Sequence, residues 1–131
     1  MSPVRKMPSR RRFSRPVLAA LGDERMIGIR SGSDHRFTGV WVVVVGQRAF
    51  VRSWNDKETG WHRAFGDEPR GEVRVADRVV RVRAKPVRGA RLLEAIERAY
   101  AEKYDTKASQ KWVRGFRVRW RRATTTEFVP G

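Results

Sequence analysis

Two short segments of the sequence carry side chains suited to hold a phosphate and an aromatic ring. Arg52 and Ser53 follow a long apolar run, and Trp61 and Arg63 come shortly afterwards. A guanidinium fork and a hydroxyl bind phosphate oxygens, and an indole face stacks on a planar ring. We therefore predict a binding site at these four residues. The alternative interpretation is a tryptophan in the core beside two surface arginines.

The remaining reactive side chains do not form a catalytic pattern. The chain has no cysteine, no glycine-rich phosphate loop, no Ser–His–Asp order and no close carboxylate pair. Its two histidines, His35 and His62, lack companion ligands at metal-binding spacing, so we predict no metal site. The sequence therefore favours a binding site over acid, base or nucleophilic catalysis by protein side chains.

The pattern of the segment that precedes Arg52 predicts a buried hairpin. The apolar run at 40–45 is typical of one strand covered on both faces, and Gly46 suits the first position of a two-residue type II′ turn. The returning strand, 49–52, then ends in Arg52. A short helix over 59–66 would follow, with Trp61 and Phe65 on one face.

The rest of the chain predicts a small mixed fold. A first strand is expected at 26–31, a second hairpin at 72–85 and a last strand at 124–129. The clearest helix runs over 89–104, because its apolar residues repeat at steps of three and four. Residues 109–122 fit either a helix or a strand. The spacing of their aromatic residues slightly favours the helix.

The chain is strongly basic, with 30 lysines and arginines against 14 acidic residues and a net charge of +16. Such fields attract polyanions. Residues 1–16 hold six basic residues, no acidic residue and little apolar surface, so we expect a disordered arm before a single domain over 17–131. A second functional hypothesis is therefore binding of RNA or DNA through the arm and the aromatic, basic segment at 111–122. The candidate residues are Arg10, Arg11, Arg12, Trp112, Arg117, Arg119 and Trp120.

The expected location of the protein is the cytoplasm. Residues 9–15 resemble the start of a twin-arginine export signal, but the apolar stretch that should follow is interrupted at 22–25. No apolar run approaches the length needed to cross a bilayer, so we expect no association with a membrane.

Several segments resemble a known family. Residues 41–53, 60–64, 96–104 and 123–130 look like the bacterial domain-of-unknown-function family 2255, over roughly residues 37–130. The order of elements is also similar, more loosely, to the flavin and deazaflavin split-barrel proteins. This resemblance implies an α+β fold, a small antiparallel split β-barrel of about six strands flanked by two or three helices. It also implies a homodimer with the cofactor at the subunit interface.

The wider resemblance assigns roles to particular residues. Arg52 and Ser53 would meet the phosphate of FMN or a deazaflavin, Trp61 and Arg63 would line the ring or phosphate pocket, and Lys103 and Tyr104 would lie near its mouth. The protein would then be an oxidoreductase in which the cofactor carries the hydride. Because family 2255 has no established activity, a barrel that binds no cofactor is the remaining alternative.

Overall fold

A computed structural model describes residues 12–55 and 59–131 of the chain. The strands are β1 (Ile27–Ser31), β2 (Thr38–Val40), β3 (Val42–Val45), β4 (Arg48–Val51), β5 (Arg70–Val75), β6 (Arg78–Pro86) and β7 (Thr126–Pro130). The helices are α1 (Arg15–Asp23), α2 (Trp61–Asp67), α3 (Ala90–Lys103), α4 (Gln110–Gly115) and α5 (Arg119–Arg122), with a 3-10 turn at Lys107–Ser109. None of the helices in these two ranges is long and apolar enough to cross a membrane.

The seven strands form one antiparallel sheet in the order β2-β1-β5-β6-β7-β4-β3, curled into a nearly closed barrel. The two edge strands, β2 and β3, are consecutive in the chain and are separated by Trp41 alone. The predicted α+β split barrel is confirmed. The described ranges contain more elements than the six strands and two or three helices expected.

One extra strand arises because the apolar run at 40–45 is divided. Val40 pairs with Ile27 at one edge of the sheet, whereas Val42 pairs with Val51 at the other. Trp41 makes the crossing between the two edges. The prediction of a single strand was therefore wrong: a continuous apolar run shows burial, but it does not show that all its residues pair with the same neighbour.

The predicted two-residue hairpin at Gly46 and Gln47 is present, with Val45 opposite Arg48. Both turn residues have positive φ, 55° and 65°. This is the signature of a type I′ turn, so the predicted type II′ turn was wrong. The Gly at the first position is compatible with both turn types, and Gln is not among the residues that commonly mark a left-handed second position.

The barrel interior holds one hydrophobic core. Inward-facing residues of the strands, such as Ile29, Val51 and Val73, pack there with Leu21 of α1 and Phe65 of α2. Phe13 joins the same core, and α1 begins at Arg15. The expected arm at 1–16 is thus described only from Arg12 onward, and residues 1–11 lie outside the described ranges.

A second core lies on the outer face of β3 and β4. The predicted helix over 89–104 is confirmed as α3. Its Ile96 and Tyr100, together with Tyr104 at its C-terminal cap, pack there against Val43 and Phe50. Residues 110–115 and 119–122 are helical, so the helical interpretation of the 109–122 segment was right and the strand was wrong. Together, α3 and α4 hold the residues that follow β4.

Candidate functional site

A pocket of about 490 Å³ opens beside strand β2 and Trp41, where the two edge strands of the sheet are joined. Its walls are mainly apolar, and they include four of the five tryptophans of the chain. Pockets of this size and character commonly bind small molecules. The lining residues are Met26, Thr38, Gly39, Val40, Trp41, Arg52, Ser53, Trp54, Asn55, Thr59, Gly60, Trp61, Trp112 and Phe116.

Four parts of the chain supply these walls. Strand β2 and Trp41 form one side, and residues 52–55 after β4 form another. Trp61 begins α2, and Trp112 lies on α4. The indole of Trp54 meets the rings of Trp112 and Phe116 edge-on, with centroids 4.6 and 5.5 Å away. Edge-to-face contacts of this kind fix the orientation of the rings as well as burying them.

Two tyrosines, Tyr100 of α3 and Tyr104 at the C-terminal cap of that helix, support the pocket wall from behind. The ring of Tyr104 stacks on Trp41, with centroids 4.0 Å apart. Its hydroxyl accepts a hydrogen bond from Val42 N at 3.0 Å. The hydroxyl of Tyr100 accepts one from Arg52 N at 3.1 Å and donates to Trp41 O at 3.1 Å. Burial raises the pKa of Tyr104 to about 12, while its hydrogen bond with Val42 and the nearby Arg25 act in the opposite direction. Burial raises the pKa of Tyr100 as well, so both hydroxyls stay protonated at neutral pH.

Arg52 is the most completely enclosed polar residue of the site, with a relative exposure of 1%. Burial lowers the pKa of its guanidinium, and the neighbouring Glu97 opposes that shift. The side chain makes four hydrogen bonds. Its partners are Thr125 Oγ1 at 2.7 Å, Glu97 Oε2 at 3.2 Å, Phe116 O at 3.1 Å and Leu93 O at 3.2 Å. Four of the five N–H groups of the guanidinium are thus directed into the protein.

Ser53 is positioned by hydrogen bonds, and Trp54 by its close contacts with Gly115 and Arg121. Ser53 N donates to Thr124 Oγ1 at 2.8 Å, and its hydroxyl donates to Asn55 O. The Trp54 ring lies so close to Gly115 that a Cβ at that position would collide with it. On the ring's face, the guanidinium carbon of Arg121 is 3.6 Å from the centroid. The contacts with Gly115 and Arg121 therefore fix the position of the Trp54 ring.

The predicted cofactor residues separate into two groups. Arg52, Ser53 and Trp61 lie together in the pocket wall. Arg63, Lys103 and Tyr104 are not among the described lining residues: Arg63 is exposed on α2, Lys103 is half-buried and Tyr104 is buried. Tyr104 acts indirectly, through Trp41. The sequence interpretation missed Trp41, Trp54 and Trp112 as a set, although the high tryptophan content of this short chain is a signal that could have found them.

Lys103 joins three elements behind the pocket. Its ammonium donates to Leu21 O of α1 at 3.0 Å and to Val42 O of β3 at 2.8 Å. Burial lowers the pKa of Lys103 to about 8, with Arg25 acting in the same direction and Asp23 and Glu24 opposing it. The residue predicted at the pocket mouth thus holds helix α1 against the barrel.

Four residues of the nucleic-acid hypothesis, Trp112, Arg117, Arg119 and Trp120, form an exposed corner at α4 and α5. Trp112 and Trp120 have relative exposures of 39% and 44%, and Arg117 and Arg119 are exposed beside them. Arg12 donates to Gln47 Oε1 at 2.9 Å. Arg10 and Arg11 lie outside the described residues.

Metal-binding side chains do not cluster in the part of the chain that the structure describes. No group there brings together three or more His, Cys, Asp or Glu residues that could hold an ion. Among the described lining residues of the pocket, none carries a carboxylate or an imidazole. The pocket therefore presents aromatic faces, hydroxyls, an amide and backbone groups to a ligand.

Comparison with known proteins identifies the family and the fold. A comparison with curated proteins finds no significant match. Among solved structures, the crystal structure of conserved hypothetical protein Rv2991 from Mycobacterium tuberculosis superposes with a TM-score of 0.59. The two are 11% identical, over 95% of this chain and 83% of that chain, so the similarity concerns the fold alone. The model of a family described as uncharacterized proteins conserved in bacteria, DUF2255, matches residues 18–127. The chain therefore belongs to the DUF2255 family, as the sequence resemblance indicated.

Proposed function

We propose that the protein binds a planar aromatic ligand of the flavin or deazaflavin nucleotide type in the tryptophan pocket. The observation that carries the proposal is the convergence of Trp41, Trp54, Trp61 and Trp112 on one cavity of about 490 Å³. A tricyclic ring offers two large faces for such side chains, and aromatic stacking adds to the effect of burial.

The surroundings of the pocket suit a ligand that also carries a phosphate. Arg25 lies 5.9 Å from the Trp41 ring centroid, Lys111 lies 5.2 Å from that of Trp112, and Arg121 contacts Trp54. These cations give the pocket a positive potential, which favours an anionic ligand. The guanidinium of Arg52 is occupied by internal partners, so we assign it the role of holding the wall rather than the phosphate.

The chemistry of such a protein would reside in the cofactor. A bound flavin or deazaflavin supplies hydride transfer, and the protein would act as an oxidoreductase. The residues of this chain would bind the ring, orient it against Trp61 and exclude water from the face packed on the indoles. The hydroxyls of Thr38 and Thr59 and the amide of Asn55 are available in the lining to bind polar edges of the ring.

We further propose a cytoplasmic homodimer in which a second copy covers the rim of the pocket. Met26 and Trp112 lie at this rim with relative exposures of 54% and 39%, which leaves apolar surface for a partner. Light scattering coupled to size exclusion tests the dimer. A mass of one chain at every concentration tested would contradict it.

The first experiment is an absorption spectrum of protein purified from a host that makes both flavins and deazaflavins and washed in high salt. A retained visible band supports the cofactor, because a ligand held by stacking resists salt. The matched variants are Trp61→Ala in the pocket and Trp120→Ala at the exposed corner. The band should be lost only from Trp61→Ala. A colourless wild-type protein that also fails to take up added FMN or deazaflavin would overturn the proposal.

A second candidate function is binding of RNA or DNA. The observation that favours it is the exposure of Trp112 and Trp120 beside Arg117 and Arg119, since bases stack on such rings and guanidiniums bind phosphates. Binding to a labelled oligonucleotide should weaken steeply between about 50 and 200 mM salt. Binding that does not change over this range would contradict a phosphate-backbone interaction.

A further inference from the structure

The outer face of β5 and β6 is a second basic surface, separate from the α4–α5 corner. Successive residues of a strand point to opposite faces, so the residues that alternate with the buried Val73, Val75 and Val82 point outward. Register places Arg74 opposite Val79, and Glu72 opposite Arg81. The neighbouring strand β1 adds Arg30, opposite Glu72.

The charge of this outer face is almost entirely of one sign. Among the described residues of β1, β5 and β6, Glu72 is the one acidic residue on this face, and it is already paired with Arg30. At the margins of the face, Glu68 pairs with Arg70, and Glu127 of β7, which lies opposite Lys85, pairs with Arg48. Ordinary soluble surfaces mix both signs, because a field of one sign raises the self-repulsion of the folded state. The basic residues are Arg30, Arg70, Arg74, Arg81, Arg83 and Lys85.

Part of this surface is ordered before any ligand arrives. The guanidiniums of Arg30 and Arg74 lie 4.2 and 4.5 Å from the ring centroid of Phe37. Phe37 in turn lies against Gly28, where a Cβ would come within 3.1 Å of it. Arginines that are already stacked lose less conformational freedom when they bind a phosphate.

We propose that the outer face of β1, β5 and β6 binds the phosphate backbone of a single-stranded nucleic acid. Arg81, Arg83 and Lys85 alternate along one strand, so their side chains leave the same face at intervals of about 6.6 Å. The outside of a barrel is convex, and a flexible single strand can follow such a surface where a straight duplex touches it only locally. The proposal extends the second candidate function by assigning it a different site, and it is independent of the ligand pocket.

The composition of the face favours nucleic acid over an anionic membrane. Five of its six basic residues are arginines, which bind phosphate with a planar fork. Surface-bound membrane proteins also need apolar side chains that enter the lipid. Val79 is the one strongly exposed large apolar residue that the described register places here.

The test measures binding of a labelled single-stranded RNA or DNA of about 15 nucleotides as a function of salt. Two variants with the same change in net charge are compared with the wild-type protein. Arg81→Ala/Arg83→Ala changes the sheet face, and Arg117→Ala/Arg119→Ala changes the helical corner. All four side chains are exposed, so both variants should fold, which circular dichroism checks.

The sheet variant should bind roughly ten-fold more weakly at about 0.1 M salt, and its salt slope should fall by about 1.4 because two phosphate contacts are lost. The corner variant should keep the slope of the wild-type protein. A loss confined to the corner variant would overturn the sheet site while leaving the second candidate function intact. An equal loss in both variants, no binding by the wild-type protein, or binding only to vesicles rich in phosphatidylserine would also overturn the proposal.

Discussion

The indole of Trp41 lies flat on the phenol ring of Tyr104, with centroids 4.0 Å apart and planes 2° from parallel. Trp41 is also the residue at which the chain crosses from one edge of the barrel to the other. One stacked pair thus connects the C-terminal end of helix α3, the junction between β2 and β3, and the wall of the pocket. The position of this wall depends on Tyr104 even though Tyr104 does not line the cavity.

Tyr104→Phe should separate the stacking role from the hydrogen-bonding role. The variant keeps the ring but removes the acceptor of Val42 N and the donor to Arg25 O. Since a buried polar group without a partner costs about 1–3 kcal/mol, the free energy of unfolding should fall by that amount. Ligand affinity should change little. Tyr104→Leu, which removes the ring, should lower both, and equal ligand affinities in the two variants would contradict the role of the stack.

Arg52→Lys should destabilise the protein strongly. Lysine cannot reproduce the planar fork, so Phe116 O and Leu93 O lose their partner, and we expect a loss of about 3 kcal/mol in chemical unfolding. Arg83→Lys, at an exposed position, should change the stability by less than about 0.5 kcal/mol.

The same Arg52→Lys variant tests whether Arg52 contacts a phosphate directly. The ratio of affinities for FMN and riboflavin, which differ by one phosphate, should be the same in the wild-type and variant proteins. A ratio that falls to about one in a stably folded variant would show that the guanidinium binds the phosphate, as the resemblance to flavin and deazaflavin split-barrel proteins first implied.

Gly115→Ala should disturb the pocket through Trp54. The added methyl group would collide with the indole ring, so the ring must move. We expect weaker ligand binding and a shift in tryptophan emission. The matched control is Gly66→Ala in α2, where a Cβ meets nothing within 4 Å and alanine favours the helix by roughly 0.5–1 kcal/mol. Equal behaviour of the two variants would show that Trp54 does not depend on Gly115.

Lys103 should make the stability rise with pH above about 8. Its pKa in the folded protein is lowered to about 8 by burial, whereas the unfolded chain titrates near 10.4. Between these values the unfolded state binds more protons, so raising the pH favours folding. Tyr104, with its pKa raised to about 12, contributes in the opposite direction once the pH exceeds about 10.

Denaturant midpoints at about pH 7.5 and pH 9.5 lie on either side of the lowered pKa of Lys103, the first below the window and the second inside it. The midpoint of the wild-type protein should shift upward over this interval relative to that of Lys103→Met. Parallel pH profiles for the two proteins would contradict the lowered pKa.

Local patterns in the sequence predicted most of the barrel. The period of α3 and the two-residue hairpin after Val45 depend on neighbouring residues, which a sequence displays directly. The division at Trp41 could not be predicted in this way. It depends on which distant strand pairs with Val40 and which with Val42, and an apolar run contains no such information.

Only part of the site could be predicted, because it also depends on contacts between residues that are distant in the sequence. The pattern placed Arg52 at the end of a strand but could not show whether its side chain faces a ligand or the protein. The answer lies with Glu97 and Thr125, which are far away in sequence. Likewise, Trp112 could be read as part of a basic surface, and only the packing of α4 beside Trp54 brings it to the pocket.

The most direct test is a titration of ligand-free protein with FMN and with a deazaflavin, followed by quenching of tryptophan emission and by the absorption of the ligand. Saturable binding by the wild-type protein and by Trp120→Ala, with a loss of roughly ten-fold or more in Trp61→Ala, would support the tryptophan pocket as the binding site. Absence of saturable binding to either ligand, or equal affinity in the two tryptophan variants, would contradict it.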